Sequence, residues 1–257
     1  CESRAVRASA ESLAGWNRIA SVQHWEGLRV THIMITGGAG FMGFHLAKFL
    51  VSRGDRVILV DNFARSVKDP DLAELAQNDH CDLLTLDLES QPLPTISVDA
   101  VVQVAAVVGV RNVTRNPYEV LRRNQAILER VIAYSKRLPS LRNFIFASTS
   151  EVYADAVTMG KVVVPTPEHV ALVVQEPSNP RGTYALSKIY GEAMCQTSGL
   201  PVTVVRPHNI YGPRMGLSHV VPELMQRCWM SPKAVPLDVA SAGHTRTFCY
   251  VTDACNY

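Results

Sequence analysis

Short apolar, β-branched segments alternate with segments of helical apolar spacing along most of the chain, from Thr31 onward. The segments with strand character are VTHIMITGG, RVILVDN, CDLLTLDL, DAVVQVAAVV, NFIFAST and PVTVVRP. The segments with helical character are FMGFHLAKFLVSRGD, which closes on Gly54, then DPDLAELAQND, NPYEVLRRNQAILERVIAYSKRL and TYALSKIYGEAMCQTSG. Strands that alternate with helices of this length form right-handed βαβ units and a parallel sheet covered on both faces. The pattern therefore predicts a doubly wound α/β fold.

The composition is that of an ordinary globular chain, with 257 residues of which 47% are hydrophobic and 19% charged. This length suits one large α/β domain or two smaller units. A formal net charge of +2 without a Lys/Arg run gives no electrostatic reason to expect nucleic acid or a membrane surface as partner. The longest apolar stretch, Val98 to Val110, is interrupted by Asp99 and Gln103 and is too short to span a bilayer, so we expect a buried strand there.

The six cysteines form no C-x-x-C pair and lie near no cluster of histidines. This arrangement argues against a zinc site and, in a chain of this size, against a disulfide framework. We therefore expect reduced thiols, no metal ion and a cytoplasmic location.

A glycine-rich turn, TGGAGFMG, follows the first predicted strand and opens the first predicted helix. It satisfies the pattern G-x-G-x-x-G with Gly38, Gly40 and Gly43. In this context bare backbone lets a pyrophosphate approach, and the helix N-terminus supplies N–H donors and the positive end of the helix dipole. The alternative is a tight turn whose glycines serve packing alone. We expect a dinucleotide to contact the following turn residues: Gly37, Gly40, Phe41, Met42 and Gly43.

A carboxylate ends the second predicted strand, because Asp61 lies 18 residues after Gly43. Such a carboxylate accepts hydrogen bonds from both ribose hydroxyls and repels a 2′-phosphate. The sequence therefore predicts NAD rather than NADP as cofactor, with Asn62 beside Asp61 in the same contact. The nearby Arg65 would weaken this preference for NAD over NADP.

Two later loops are further candidates for cofactor contact. Asp87, followed by Leu88, ends the third predicted strand and either reaches the adenine or caps its own loop. Ala105 and Ala106 follow the fourth predicted strand, where small side chains either leave room for a ligand against the backbone or serve helix packing.

A tyrosine and a lysine stand four places apart in RGTYALSKIYGE, at Tyr184 and Lys188. Residues at this spacing lie on one helix face, and many such pairs are ordinary surface neighbours. The alternative is chemical, because an ammonium beside a phenol favours the phenolate and makes tyrosine a proton acceptor near neutral pH. The spacing alone leaves both alternatives open.

Seven segments occur in an order that resembles the extended short-chain dehydrogenase/reductase family, and specifically its nucleotide-sugar epimerases, dehydratases and decarboxylases. They are TGGAGFMG, VDN, VVQVAA, ASTSEVYA, YALSK, RPHNIYGPR and HTRTFCYVTDA, from Thr31 to about Asp253. Two departures stand out. The family usually has His where this chain has Gln103, and its members continue through further C-terminal elements beyond the position of Tyr257.

The resemblance implies a catalytic role for the tyrosine and lysine pair. Tyr184 becomes the base, and Lys188 lowers the pKa of Tyr184 and holds the nicotinamide ribose. Thr149 is implied to hydrogen bond the substrate hydroxyl. Glu151 is implied either to carry a proton at the neighbouring sugar carbon, as in dehydratases and decarboxylases, or to support the site structurally.

Two short patterns next to these residues resemble the decarboxylase branch. Ser150 precedes Glu151, where dehydratases of the dTDP-glucose type usually have Asp. Pro180 and Arg181 precede the catalytic helix, although a loop cap with a solvated arginine would give the same pattern. Dehydration is therefore the less favoured outcome.

The resemblance also implies a substrate site, in which Asn209 and Arg246 bind the diphosphate of a nucleotide sugar with Arg214 nearby. Guanidinium groups suit this task because they fork onto phosphate oxygens. The alternative is that the two arginines are solvated surface residues.

The predicted domain organisation has three parts. Residues 1–29 show an amphipathic pattern without the apolar core and cleavage site of a secretory signal, so they are expected to form an N-terminal extension or to lie upstream of the true start. Residues 30–206 are expected to form an NAD-binding Rossmann domain, and residues 207–257 a partial, apparently truncated substrate-binding region. The resemblance further implies a homodimer that pairs through helices around residues 117–138 and 184–197.

The resemblance implies an NAD-dependent nucleotide-sugar 4-epimerase that acts through a transient 4-keto intermediate on a UDP-linked substrate. A UDP-glucuronate decarboxylase or a 4,6-dehydratase is the alternative within the family. A non-catalytic NAD-binding regulator is the alternative outside enzymes, but such a module has no need of Thr149, Tyr184 and Lys188 together.

Overall fold

The structure, a computed structural model, describes residues 32–231, 236–239, 243 and 245–256, without the side chains of residues 110–112 and 181. The predicted N-terminal extension, residues 1–29, lies outside the described residues.

Six parallel strands form the main sheet. They are β1 (His32–Thr36), β2 (Arg56–Asp61), β3 (Cys81–Thr85), β4 (Ala100–Gln103), β5 (Asn143–Ala147) and β6 (Val202–Val205). Their order in the sheet is β3-β2-β1-β4-β5-β6, and each neighbouring pair is parallel. The order reverses direction between β1 and β4, which creates the crevice where doubly wound sheets bind ligands. The predicted fold class is therefore confirmed.

Eight helices connect and follow these strands in the described part of the chain. They are α1 (Phe41–Ser52), α2 (Pro70–Ala76), α3 (Val110–Arg115), α4 (Pro117–Ser135), α5 (Ala154–Thr158), α6 (Thr183–Thr197), α7 (Val220–Met230) and α8 (Val251–Asn256). Local chemistry explains several of their ends. The Asp69 side chain caps α2 by accepting a hydrogen bond from the Leu72 N–H at 3.0 Å, and Pro70 occupies the first helical position. Gly54, with φ of +88°, follows the end of α1.

The core lies between the sheet and the helices that cover it. Met34, Val101 and Phe144 from the central strands are fully buried, and Leu128 and Val131 from α4 pack in the same cluster. Helices α4 and α6 pack against each other beside β5. Tight packing on this face fixes the position of α6, which carries Tyr184 and Lys188.

The outer side of this helix pair retains exposed aromatic residues. Tyr118 on α4 is 71% exposed and Tyr190 on α6 is 54% exposed. Pairing of two copies through these helices stays a prediction.

The last part of the chain forms a separate two-stranded parallel sheet, made of β7 (Asn209–Tyr211) and β8 (Phe248–Tyr250). The predicted boundary between residues 206 and 207 falls between the two sheets, and the division into a cofactor part and a substrate part stays a prediction. None of the described helices is both long enough and apolar enough to cross a membrane. The predicted cytoplasmic location stays a prediction.

Candidate active site

The glycine-rich turn lies at the carboxyl end of β1 and is held against β2. Its Gly37 and Gly38 N–H groups donate to the Val60 carbonyl at 2.7 Å and 3.2 Å. Gly37 has φ of +68°, which favours glycine, and a Cβ on Gly43 would lie 2.4 Å from the Gly37 carbonyl oxygen. The packing alternative for these glycines is therefore correct in part, because Gly43 lets α1 approach the turn.

The N-terminus of α1 provides an environment that suits an anion. Gly40, the residue before the helix, has no side chain to cap it, and the first turn contains no acidic residue. The N–H groups at this end carry the positive pole of a helix of 12 residues. Contact of Phe41, Met42 and Gly43 with a dinucleotide stays a prediction.

Asp61 is tied directly to the glycine-rich turn. Its carboxylate accepts hydrogen bonds from the Ala39 N–H at 3.1 Å, the Phe63 N–H at 2.8 Å and the Ser66 hydroxyl at 3.0 Å. A carboxylate has about four acceptor sites, so it retains capacity for a ribose hydroxyl. The neighbouring Asn62 is exposed, and its side chain accepts from the Ala64 N–H at 3.0 Å.

The loop after β3 is largely satisfied by its own hydrogen bonds. The Asp87 carboxylate accepts from the Glu89 N–H at 3.0 Å, and the Asp87 N–H donates to the Gln91 side chain at 2.8 Å. Leu88 is buried in the core cluster. These contacts favour the loop-capping alternative for Asp87, and an adenine contact by either residue stays a prediction.

Gln103 joins the loop after β4 to the end of β1, a role that the sequence did not reveal. Its buried side chain accepts from the Thr36 hydroxyl and donates to the Ala105 carbonyl at 2.9 Å. The Ala105 N–H in turn donates to the Thr36 hydroxyl at 3.3 Å. A Cβ on Gly37 would lie 2.9 Å from the Ala105 Cα, so these two loops touch, with Ala106 half-buried beside them.

The structure brings together the three residues that were predicted to form the catalytic site. Thr149 lies two residues after β5, and its hydroxyl is close enough to that of Tyr184, in the first turn of α6, to lower the pKa of that phenol. The buried Lys188 donates from Nζ to the Ala147 carbonyl at 2.6 Å. Its Nζ lies 5.8 Å from the centre of the Tyr184 ring. All three side chains therefore meet at the carboxyl edge of the main sheet.

The pKa of Tyr184 differs from the sequence-based expectation. Burial raises this pKa to about 12, and the nearby Glu151 carboxylate adds to the rise, whereas Arg65 and the Thr149 hydrogen bond oppose it. Burial also lowers the pKa of Lys188 to about 8. Lys188 was expected to lower the Tyr184 pKa, and for the sum of the protein's own groups this expectation is wrong. The loss of solvent around the phenol raises the pKa more than Arg65 and Thr149 lower it.

Glu151 is exposed and lies two residues after Thr149. Its N–H donates to the Thr149 hydroxyl oxygen at 3.3 Å, and its carboxylate is close enough to Tyr184 to raise the pKa of that phenol. Arg65, which was expected to affect the choice between NAD and NADP, acts electrostatically on Tyr184 as well. The side chain of Arg181 lies outside the described residues.

Two of the three predicted substrate residues lie close together. The Asn209 side chain donates to the Thr247 carbonyl at 2.9 Å, which ties β7 to the segment that contains Arg246. Arg246 is exposed, and its guanidinium donates to the neighbouring Thr245 carbonyl at 2.7 Å. Binding of a diphosphate by this pair stays a prediction.

Arg214 is held in a different environment from the other two. Its guanidinium pairs with Asp69, lies 3.5 Å from the Ala39 carbonyl and stacks 4.0 Å from the centre of the Phe44 ring. The side chain is only 13% exposed, so the solvated alternative is wrong. Substrate binding by Arg214 stays a prediction, and in this structure the residue links the segment after β7 to the cofactor turn.

Three polar residues beside the site were missed in the sequence, namely Ser148, Glu192 and Arg206. Glu192 follows Lys188 by four residues, so helical spacing was the available signal. Among the described residues, no group of three His, Cys, Asp or Glu side chains is arranged to hold a metal ion.

Replacement of Lys188 by Met is expected to stabilise the protein at pH 7 by an amount on the order of 1–3 kcal/mol, because a buried charge is removed. The Lys188 pKa is about 8 in the folded protein and 10.5 when unperturbed. The parent protein therefore gains stability as the pH rises between these values, and the advantage of the variant shrinks over that range. Urea unfolding at pH 7 and pH 10 measures the difference.

The matched control is Lys48→Met, because Lys48 is an exposed lysine on α1. It should leave the stability difference nearly constant with pH. A Lys188→Met advantage that stays constant between pH 7 and pH 10 would contradict the assignment of a depressed Lys188 pKa.

Known proteins resemble this chain over most of its length. The model of the NAD dependent epimerase/dehydratase family matches residues 33–257. The chain is 35% identical to a UDP-N-acetyl-alpha-D-glucosaminuronate decarboxylase of Bacillus cytotoxicus, over 86% of this chain and 68% of that protein. It is 30% identical to UDP-glucuronic acid decarboxylase 1 of Arabidopsis thaliana, over 96% of this chain and 55% of that protein. The chain therefore spans little more than half the length of the Arabidopsis relative.

Solved structures show the same likeness. A UDP-galactose 4-epimerase superimposes with a TM-score of 0.67 at 28% identity, over 88% of this chain and 69% of that one. An NAD-dependent NDP-hexosamine 5,6-dehydratase, TunA, superimposes with a TM-score of 0.71 at 27% identity, over 88% of this chain and 70% of that one. The similar proteins thus include decarboxylases, an epimerase and a dehydratase.

Proposed function

The chain belongs to the NAD-dependent epimerase/dehydratase family, and we propose that it converts a UDP-linked sugar by transient oxidation of the sugar C4 hydroxyl to a ketone. The observation that supports this most strongly is the cluster of Thr149, Tyr184 and Lys188 at the carboxyl edge of the sheet. A hydroxyl pair beside a buried ammonium is suited to removing a proton from an alcohol. A protein that only bound NAD would not require this cluster.

NAD fits the residues at this edge of the sheet. The uncapped N-terminus of α1 suits the pyrophosphate, and Asp61 suits the adenine ribose through its remaining acceptor capacity. We assign the nicotinamide ribose to Lys188, whose Nζ also bonds the Ala147 carbonyl. Bound NAD supplies the acceptor and later the donor of a hydride.

The acid–base step belongs to Tyr184. As phenolate it takes the proton of the C4 hydroxyl and returns it when the ketone is reduced. The Thr149 hydroxyl holds the same substrate oxygen. Lys188, with a pKa of about 8, is mostly charged at pH 7, and we assign to its ammonium the task of offsetting part of the effect of burial, which holds the Tyr184 pKa at about 12.

The product that we propose is that of decarboxylation of a UDP-uronate. Once C4 is a ketone, the C6 carboxylate is β to it, and the C5–C6 bond breaks with release of carbon dioxide while its electron pair moves toward the ketone. C5 then takes a proton and C4 is reduced. Two observations favour this outcome: Ser150 precedes Glu151, and two relatives at 30% and 35% identity are named as decarboxylases.

Epimerisation at C4, the outcome predicted first from the sequence, is the second candidate. It is supported by the 28% identity to a UDP-galactose 4-epimerase. In this case the ketone is reduced from its opposite face and no carbon is lost, so Glu151 has no proton to carry.

Mass spectrometry of the products separates the two outcomes. Purified protein with NAD is given UDP-glucuronate and UDP-glucose in separate reactions. Loss of carbon dioxide from the uronate supports the decarboxylase. An unchanged mass with a shifted retention time of UDP-glucose supports the epimerase, and conversion of neither substrate class would contradict the proposal for these sugars.

Replacement of Glu151 by Gln is expected to lower turnover of the uronate by about 10²–10⁴-fold, because a proton carrier at C5 is lost. The oxidation step should be spared, since the Glu151 carboxylate raises the Tyr184 pKa and its removal makes the phenolate easier to form. The decarboxylated intermediate that awaits its C5 proton should therefore accumulate, and rapid quench and mass spectrometry detect it as the 4-keto pentose.

The matched control is Glu176→Gln, in the same long segment between β5 and α6, where Glu176 is exposed. This variant should turn over like the parent. Full activity of Glu151→Gln would show that Glu151 carries no proton.

A further inference from the structure

Two consecutive contacts join the end of β5 to α6. The Ala147 carbonyl accepts from Lys188 Nζ at 2.6 Å, and the Thr149 hydroxyl is close enough to the hydroxyl of Tyr184 to lower the pKa of that phenol. The residue between them in the chain, Ser148, makes a third contact on the same helix. Its hydroxyl donates to a carboxylate oxygen of Glu192. Three consecutive residues of one segment thus meet three residues of α6 that are spaced by four.

Glu192 is the buried carboxylate of this arrangement. It is 3% exposed and receives the Ser148 hydroxyl together with two donors of Arg206, Nε at 2.9 Å and Nη2 at 2.6 Å. Arg206 follows β6 and also donates to the Tyr153 hydroxyl at 2.7 Å. The segments that follow β5 and β6 therefore both hold the Glu192 carboxylate.

A buried ion pair is weak evidence for stability, because the cost of removing both charges from water offsets much of their attraction. Its effect here is geometric. A planar guanidinium that forks onto a carboxylate fixes the direction of that side chain. Fixing Glu192 fixes the rotation of α6 about its axis, and this rotation also sets where Tyr184 and Lys188 point.

We propose that Glu192, held by Arg206 and Ser148, is a positioning residue that sets the register of α6 against the end of β5 and so aligns Tyr184 with Thr149. This inference rests on the proposed function of Tyr184 as the base. It also assigns a role in the site to Arg206, which lies in the segment RPHNIYGPR. Arg206 acts there through Glu192 and not through the hydroxyls of Thr149 and Tyr184.

The electrostatics of the helix support the same role. The groups that act on Lys188 are Cys195 and Glu192 on α6, both of which raise its pKa against the effect of burial, and Arg206 pairs with Glu192 from the segment after β6. Ala147, Ser148 and Thr149 bring no titratable side chain. Neutralising Glu192 therefore removes a carboxylate that raises the Lys188 pKa and leaves the Arg206 guanidinium in place, so the Lys188 pKa falls further.

Two variants test the proposal. Ser148→Ala breaks the bond to β5 and keeps the ion pair, so it should fold like the parent while kcat falls about tenfold and KM for the sugar changes less than about twofold. Glu192→Gln keeps the size of the side chain and removes its charge, and kcat should fall about 100-fold. The matched control is Ser135→Ala, a buried serine on α4 whose hydroxyl has no partner among the described residues.

A second readout does not depend on turnover. Nuclear magnetic resonance of labelled lysine follows the ionisation of Lys188, and its midpoint should move to lower pH in Glu192→Gln but not in Ser135→Ala. An unchanged kcat in both Ser148→Ala and Glu192→Gln would overturn the proposal and leave a merely structural ion pair, even if the Lys188 midpoint moves with the charge of Glu192. If the parent converts no nucleotide sugar, the proposed function fails, and the positioning role fails with it because it rests on Tyr184 as the base.

Discussion

Replacement of Tyr184 by Phe is expected to lower kcat by about 10²–10⁴-fold, because the group that accepts the C4 proton is lost. The aromatic ring remains, so packing at the first turn of α6 should be preserved. The protein should therefore melt at nearly the same temperature and should bind NAD with an affinity that changes far less than kcat. Turnover at saturating substrate and calorimetric titration with NAD measure the two effects separately.

The same helix offers a matched control. Tyr190→Phe removes a phenol hydroxyl from an exposed position on α6, and it should leave kcat unchanged. Retention of more than a tenth of the parental kcat by Tyr184→Phe would remove Tyr184 from the role of base. Equal losses of NAD affinity and kcat would instead indicate that the hydroxyl serves cofactor binding.

Replacement of Gly43 by Ala is expected to abolish measurable NAD binding and to lower the free energy of unfolding by about 1–3 kcal/mol. The added Cβ would lie 2.4 Å from the Gly37 carbonyl oxygen and 2.7 Å from the Gly38 Cα. Both neighbours are backbone atoms, so relief requires the turn to move away from α1. This movement separates the helix N-terminus from the turn, and the two form the anion site together. Calorimetric titration with NAD and urea unfolding provide the measurements.

Gly216→Ala is the matched control, because a Cβ there would meet only the His219 ring, at 3.6 Å or more. It should bind NAD and unfold like the parent. NAD binding by Gly43→Ala within about tenfold of the parent would contradict the assignment of the pyrophosphate to this turn.

The sequence predicted the main sheet and its longest helices because their signals are local. Short apolar, β-branched runs identified all six strands of the main sheet, and Gly54, with its left-handed backbone, marked the end of α1. The helices α3, α5, α7 and α8 and the strands β7 and β8 were not predicted. Strand lengths were less accurate. The segment DAVVQVAAVV contributes only Ala100–Gln103, because the Ala105 N–H bonds the Thr36 hydroxyl instead of continuing the strand ladder.

The sequence indicated that Tyr184 and Lys188 lie together, but it did not indicate the direction in which the Tyr184 pKa is shifted. Spacing of four placed Tyr184 and Lys188 on one helix face. It could not reveal that Lys188 is buried and Tyr184 half-buried, and burial is what lowers the Lys188 pKa and raises the Tyr184 pKa. The pairing of Arg214 with Asp69 joins residues far apart in the chain, so only the tertiary structure shows it.

The two proposed outcomes diverge only after C4 has been oxidised. Epimerase and decarboxylase share the base, the lysine and the threonine, since both begin with the same ketone. They differ in what happens at C5 and in the face on which C4 is reduced.

A substrate labelled with deuterium at C4 tests the central claim of transient oxidation most directly. The parent protein is incubated with catalytic NAD and the labelled UDP-sugar that it converts, and the product is examined by mass spectrometry and nuclear magnetic resonance. The account predicts a product that retains the label at C4, because the same hydride leaves and returns. Release of the label into free NADH, in equal amount to a ketone that accumulates, would contradict it and indicate a simple dehydrogenase.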